Sequence, residues 1–198
     1  KSDDLYSTTA GIRSVSEDTS KPKRTITVQI LAPTSRLTNN QILVSVPNVR
    51  KPVPFFILMR ALGVISDKDI IKHCLLSLEK NDNYIDLFIP SIHDASTIFT
   101  QSMALEYIAS FTKRGTVSSV MEILSDYLLP HIGELNFLDK AYFLGYMVFN
   151  MLKVFTKERK PTDRDNFKFK RIDLTGTLIY DLFREYFVLQ LKNITTKI

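Results

Sequence analysis

Apolar residues recur at every second position between Thr25 and Val46, and at every third and fourth position beyond Pro54. This change of period limits the fold more than any other feature of the chain. Ile26, Val28 and Ile30 alternate with Thr25, Thr27 and Gln29, and Ile42, Val44 and Val46 repeat the pattern. Such alternation belongs to strands with one buried face. Pro33, Ser35, Asn39 and Asn40 lie between the two runs, so the pair predicts an antiparallel hairpin with a long loop. Pro47, Pro52 and Pro54 then end the sheet, because proline cannot donate to a ladder. Pro54 suits the first position of a helix over 55–62, and Gly63 stops it.

Upstream, residues 1–24 are polar, and Ile12 and Val15 are the anchors for a short edge strand. Downstream the spacing is helical. Ser66 with Asp69 has the form of an N-terminal cap, ahead of a buried stripe of Ile70, Ile71, Cys74 and Leu78. Further helices are predicted over 82–89, 94–99, 103–112 and 117–129, the last ended by Pro130. A long helix over 138–157 places Leu138, Ala141, Leu144, Val148, Met151, Leu152 and Phe155 on one broad face. A final helix over 174–192 is expected to bury Leu178, Ile179, Leu182, Phe183 and Tyr186. The expected class is α+β: one mostly helical domain over 1–198, with a small antiparallel sheet in 1–50 and helices in 51–198.

The chain has 198 residues, 44% of them hydrophobic and 24% charged, which is the composition of an ordinary soluble globular domain with a sizeable core. The longest uncharged apolar run falls well short of the ~20 residues a membrane span needs. A single cysteine, Cys74, excludes an intrachain disulfide and suits a reducing compartment. His73, His93 and His131 are scattered and there is no Cys-x-x-Cys, so no structural zinc site is expected within the chain. The net charge of +5 is unevenly spread. Residues 1–60 carry nine cations against four anions, 61–155 seven against eleven, and 156–198 ten against six. Basic ends and an acidic middle suit a molecule with one face that accepts polyanions.

The densest charge run is Asp163-Arg164-Asp165-Asn166-Phe167-Lys168-Phe169-Lys170-Arg171-Ile172-Asp173-Leu174-Thr175-Gly176. It resembles the DRDH-x-G-x-KR-x-DL-x-G signature near the end of the lobe domain in second-largest subunits of multisubunit DNA-directed RNA polymerases. Lys140-Ala141-Tyr142-Phe143-Leu144-Gly145-Tyr146-Met147 is similar to that family's K-A-x-F-L-G-Y-M. Leu129-Pro130-His131 matches its L-P-H, and the segment from Pro54 through Arg60-Ala61-Leu62-Gly63 to Asp67 resembles its P-x-x-x-x-x-R-A-L-G-x-x-x-D. The order and spacing agree over nearly the whole chain. Asn166, Lys168 and Thr175 stand where the family carries His, Gly and Ala.

The resemblance implies a fragment of a longer subunit of the eukaryotic and archaeal type. The implied role is a non-catalytic lobe that forms part of the DNA cleft wall during transcription, within an enzyme that is a nucleotidyltransferase. Implied partners are the other polymerase subunits, especially the largest, DNA in the cleft and initiation factors, with no membrane. No cofactor is expected in this fragment, and Mg2+ and Zn2+ belong elsewhere in the complete polymerase. Abundant Ile, Asn and Lys without Trp suggest an AT-rich lineage such as a giant DNA virus, with a protist nuclear enzyme second. The location would be intracellular: host cytoplasm or virion if viral, otherwise nucleus.

Read as chemistry, Asp163 and Asp165 have a spacing that can grip a divalent ion, which keeps a small metal-dependent phosphotransferase as a rival. Arg164, Lys168, Lys170 and Arg171 offer these carboxylates cheaper partners, so Asp163, Arg164, Asp165 and Asp173 are expected to form an ion-pair loop that clasps the last helix. Lys168, Lys170 and Arg171, and a second basic run of Lys21, Lys23 and Arg24, are the candidate nucleic-acid contacts. Phe167 and Phe169 either stack bases or anchor the loop to the core. Basic ends also admit a free-standing helical DNA-binding module as the alternative. Cys74 reads as a small buried hydrophobe, His131 as a cation at a helix end, and Gly145 as a point where another helix comes close.

Overall fold

Alternation at 26–30 and 42–46 produces the strands it predicts, within a larger sheet. The computed structural model describes residues 5–16, 23–33, 40–163, 165–170 and 172–197. Four strands, β1 (Tyr6–Ser14), β2 (Arg24–Leu31), β3 (Ile42–Ser45) and β4 (Val53–Pro54), form an antiparallel meander in chain order. Val28 stands opposite Val44, and Ile30 opposite Ile42. Ile26, Val28, Ile30, Ile42, Val44 and Val46 are all buried. The edge strand β1 runs for nine residues, with Ile12 opposite Ile26; Val15 lies just past its end. Pro54 does not lie beyond the sheet as expected: it pairs with Leu43 in the two-residue edge strand β4. An edge position requires no donor from proline on its outer side.

The chain divides into two compact units, Lys1–Lys160 and Pro161–Ile198. In the first, α1 (Phe55–Ala61) follows Pro54 directly and every one of its residues is buried, as befits a helix that is apolar all round. Phe55 and Phe56 meet edge to face at 5.8 Å, and Phe56 meets Phe88 at 6.2 Å. Gly63, at φ +103°, turns the chain into α2 (Asp67–Leu75). Ser66 precedes that helix, but its side chain makes no capping bond. Ile70, Ile71 and Cys74 are buried as expected, whereas Leu78 lies past the helix end and is half-buried.

The region read as helices over 82–89 and 94–99 is a 3-10 stretch (Asp82–Phe88) running into α3 (Ile89–Asp94). Pro90 explains the junction, since it lacks an N–H and suits a first helical turn. Then come α4 (Gln101–Ser110), α5 (Val117–Glu122) and a π-turn (Ile123–Tyr127). The π-turn and Leu129, left-handed at φ +48°, divide what the spacing predicts as one helix over 117–129. A short 3-10 turn (Pro130–Ile132) leads to α6 (Phe137–Phe155). Its buried face runs from Lys140 and Ala141 to Met151 and Leu152. Leu138 is exposed and Phe155 half-buried, so the predicted face holds only in its middle.

In the second unit a 3-10 turn (Phe167–Phe169) precedes α7 (Thr175–Lys197). Leu178, Ile179, Leu182, Phe183 and Tyr186 are exposed, not buried. A helix buries a face only against another element, and the described part of this unit offers α7 no second helix or strand. No helix among the described residues is long and apolar enough to cross a membrane.

Candidate functional site

Among the described residues, the lysines and arginines of the sequence blocks divide into two groups, one buried and one exposed. Arg60 is the first buried one, with 2% of its side chain exposed. Its Nη1 donates to the main-chain oxygens of Ala95 (2.7 Å) and Ile98, and Nη2 donates to Asp67. The guanidinium carbon lies 5.6 Å from the ring centre of Phe99. The helix end of α3 and the turn after it leave carbonyls without intrahelical partners, and the planar fork of arginine can meet several at once. The arginine and aspartate of this block are therefore a staple joining α1, the start of α2 and the chain after α3.

Lys140 repeats the device. It is 0% exposed, and Nζ donates to the carbonyls of Leu124 (2.8 Å), Ser125 (2.8 Å) and Glu134 (3.0 Å). The π-turn frees some of these oxygens, and the three donors of a lysine head group meet them. Gly145, five residues on, presses against α2: a Cβ there would lie 2.7 Å from the His73 oxygen and 3.1 Å from the Cys74 Cα. Beside this contact His73 stacks on Tyr142 at 4.1 Å while Cys74 points inward, buried, and burial pushes its thiol pKa up.

His131 does not cap a helix as a cation. It lies in the 3-10 turn, where Nδ1 sits 2.8 Å from Ser14 Oγ at the end of β1 and the ring meets Phe143 edge to face at 5.0 Å. Desolvation, then the charge of Lys140, lowers its pKa. The surroundings thus favour the neutral ring, the opposite of what a capping cation needs.

The charged loop is exposed. Phe167 and Phe169 are 80% and 55% exposed, so within the described structure they do not anchor it to a core. Asp163 Oδ1 accepts from the Asp165 amide (3.0 Å), and Asn166 Oδ1 accepts from the Lys168 amide (3.0 Å). Lys170 Nζ lies 3.5 Å from Asp165. Lys168 and Lys170 each stand 5.8 Å from a phenylalanine ring, Phe169 and Phe167 respectively. Asp173 is exposed. Arg164 and Arg171 lie outside the described residues, as does Lys21. Lys23 and Arg24 are half-buried at the start of β2, with the Arg24 guanidinium 5.4 Å above the Tyr127 ring. Among the described residues no group of three or more His, Cys, Asp or Glu could hold a metal.

The sequence reading missed the roles of Arg60 and Lys140. Part of the signal was present: Arg60 is the lone charge in an otherwise apolar helix, a pattern that calls for a buried acceptor, whereas Lys140 follows Asp139 and reads as an ordinary first-turn charge.

Among the described residues, the sequence blocks thus contribute buried cations to the first unit and an exposed basic–aromatic loop to the second. The chain belongs to the family described as RNA polymerase Rpb2, domain 2, whose model matches residues 20–173. It is 36% identical over 190 residues to DNA-directed RNA polymerase II subunit RPB2 of Encephalitozoon cuniculi, covering 92% of this chain and 16% of that protein. The corresponding subunit of Schizosaccharomyces pombe is 35% identical, over 90% of this chain and 15% of that protein. DNA-directed RNA polymerase subunit Rpo2 of Saccharolobus solfataricus is 35% identical, over 81% and 14%. The chain thus spans about a sixth of the length of the curated relatives it matches.

Proposed function

We propose that the chain is the non-catalytic lobe of the second-largest subunit of a DNA-directed RNA polymerase, and that it forms part of the wall of the DNA cleft. One observation carries this reading: the family match covers most of the chain, and the described motif cations are either buried staples (Arg60, Lys140) or part of an exposed basic–aromatic loop (Lys168, Lys170). Neither arrangement is one for making bonds. Phosphoryl transfer needs clustered carboxylates holding divalent ions, and Asp163 is engaged with its own loop. In this reading Mg2+ and Zn2+ are held elsewhere in the complete polymerase. The largest subunit, other subunits and initiation factors surround the domain inside the cell, and DNA passes the exposed loop. Membership in this family does not favour the free-standing DNA-binding module.

Lys168 and Lys170 then supply a sequence-blind field for phosphates, with Phe167 and Phe169 beside them. The chain should bind duplex DNA weakly, with Kd of ~10⁻⁴–10⁻⁶ M or weaker, and steeply dependent on salt. Titration of a labelled duplex at several salt concentrations tests this. Lys168→Ala and Lys170→Ala should each reduce the slope of log K against log salt by about 0.9 if the cation touches a phosphate. Unchanged slopes would remove the loop from the DNA face. Template-dependent nucleotide incorporation by the chain alone, abolished by Asp163→Ala, would overturn the non-catalytic assignment.

A further inference from the structure

A cleft of about 560 Å³ opens in the first unit, far along the chain from the charged loop. One rim is made by two loops fastened side by side. Val49 bridges Thr112, and the Arg50 amide donates to the Phe111 oxygen (3.0 Å). These loops bring Arg50, Lys113 and Arg114 to the cleft together. The facing wall carries Ser119, Glu122, Ile123 and Tyr127, from α5 and the π-turn.

The site is built in advance of any ligand. Thr112 Oγ1 donates to the Ala109 oxygen (2.8 Å) and accepts from the Gly115 amide (3.1 Å), which fixes the turn that carries Lys113 and Arg114. Gly115 sits at φ +66°, where a side chain would be strained. Pre-formed geometry of this kind lowers the ordering cost of binding.

The charge is one-sided. Three cations line the cleft against one carboxylate, Glu122, and Lys51 stands next to Arg50, over the Phe111 ring at 5.3 Å. Arg114 already holds Glu122 at 3.3 Å, with both side chains exposed. Among the described residues neither Arg50 nor Lys113 has a carboxylate partner. Val49 and Tyr127, both half-buried, and Ile123, 5% exposed, supply the apolar part of the lining.

We propose that this cleft docks an acidic peptide segment of a partner protein, one whose carboxylates flank a single aliphatic or aromatic anchor. The anchor fills the space over Val49 and Ile123, and the carboxylates meet Arg50, Lys113 and, in competition with Glu122, Arg114. Charge complementarity selects an acidic segment. The volume suits a few side chains and not a duplex. A single strand would need a free aromatic face, and the Arg24 guanidinium already lies over Tyr127. This inference is independent of whether the charged loop meets DNA.

Fluorescence anisotropy with the whole chain tests it. The probe is a labelled twelve-residue peptide rich in Asp and Glu around a central Leu-Phe pair; comparison probes are its Leu-Phe→Ser-Ser version, a single-stranded oligonucleotide and a duplex. Saturable binding to the first peptide is expected, weakened at least about tenfold by Arg50→Glu or Lys113→Glu, the size of a lost charge-assisted contact. Lys80→Glu, exposed and outside the cleft, should leave it unchanged. The Ser-Ser peptide should bind more weakly. Circular dichroism of each variant should match the parent, and Arg50→Gln with Lys113→Gln keeps the test valid if charge reversal perturbs the fold. No saturable binding, equal weakening by Lys80→Glu, or tighter binding of an oligonucleotide that Arg50→Glu abolishes would each overturn the proposal. Failure here would leave the salt-slope result at Lys168 and Lys170 intact, and the reverse also holds.

Discussion

The main chain of α6 at Gly145 rests against the His73 carbonyl of α2 so closely that a Cβ would stand 2.7 Å from the oxygen. Backbone cannot swing aside as a flexible side chain can. Gly145→Ala would gain up to ~1 kcal/mol of helix propensity, but overpacking of this kind costs about 1–3 kcal/mol. The variant should therefore be destabilised, with a lower Tm, at roughly 2–4 °C per kcal/mol for a chain of this size. An unchanged or raised Tm would mean that the two helices move apart freely.

Arg60 should be far more sensitive to substitution than the exposed cations. Arg60→Ala removes the side-chain donor to the Ile98 oxygen, one of two donors to the Ala95 oxygen, and the partner of Asp67, which is itself 38% exposed; leaving buried acceptors unsatisfied costs about 1–3 kcal/mol. Arg60→Lys keeps the charge and loses the fork, so it should recover only part of the loss. Urea unfolding of both variants checks the order. Equal midpoints for lysine and alanine would show that geometry, and not charge, carries the whole effect.

The pair of Lys170 and Asp165 makes the opposite case. Their side chains are 45% and 91% exposed, and such pairs are worth about 0–1 kcal/mol. Lys170→Ala should leave Tm nearly unchanged, in contrast to Arg60→Ala. A large shift would assign the loop a structural role.

Stability should fall in mild acid through His131. Its folded pKa is lowered by desolvation and by Lys140, so the unfolded chain takes up the proton first. The contribution of His131 is complete above the ordinary histidine value near 6.5 and is lost as pH drops through the lower folded value. Denaturant midpoints measured between about pH 8 and about pH 5 should decline more in the parent than in His131→Gln. Parallel curves would place the acid sensitivity in other groups.

What the residues decided locally was readable in advance. Ile26, Val28, Ile30, Ile42 and Val44 had to form strands with one buried face, because side-chain direction alternates along an extended chain. Gly63 was expected to end α1, and Gly145 to lie where another helix comes close, as both do. The four sequence blocks resembled the family that the family match then showed. The remaining features depend on which distant segments meet. Arg60 and Lys140 became staples because the carbonyls of residues 95 and 98, and of 124, 125 and 134, came within reach of them. Pro54 entered an edge strand because β3 offered one, and the helix predicted over 117–129 opened into a π-turn. The basic cleft draws on residues 48–50, 113–114 and 119–127, which share no local pattern. Periodicity follows from the sterics of neighbouring residues, whereas the pairing of a buried charge or the lining of a cleft is settled only when the chain closes on itself.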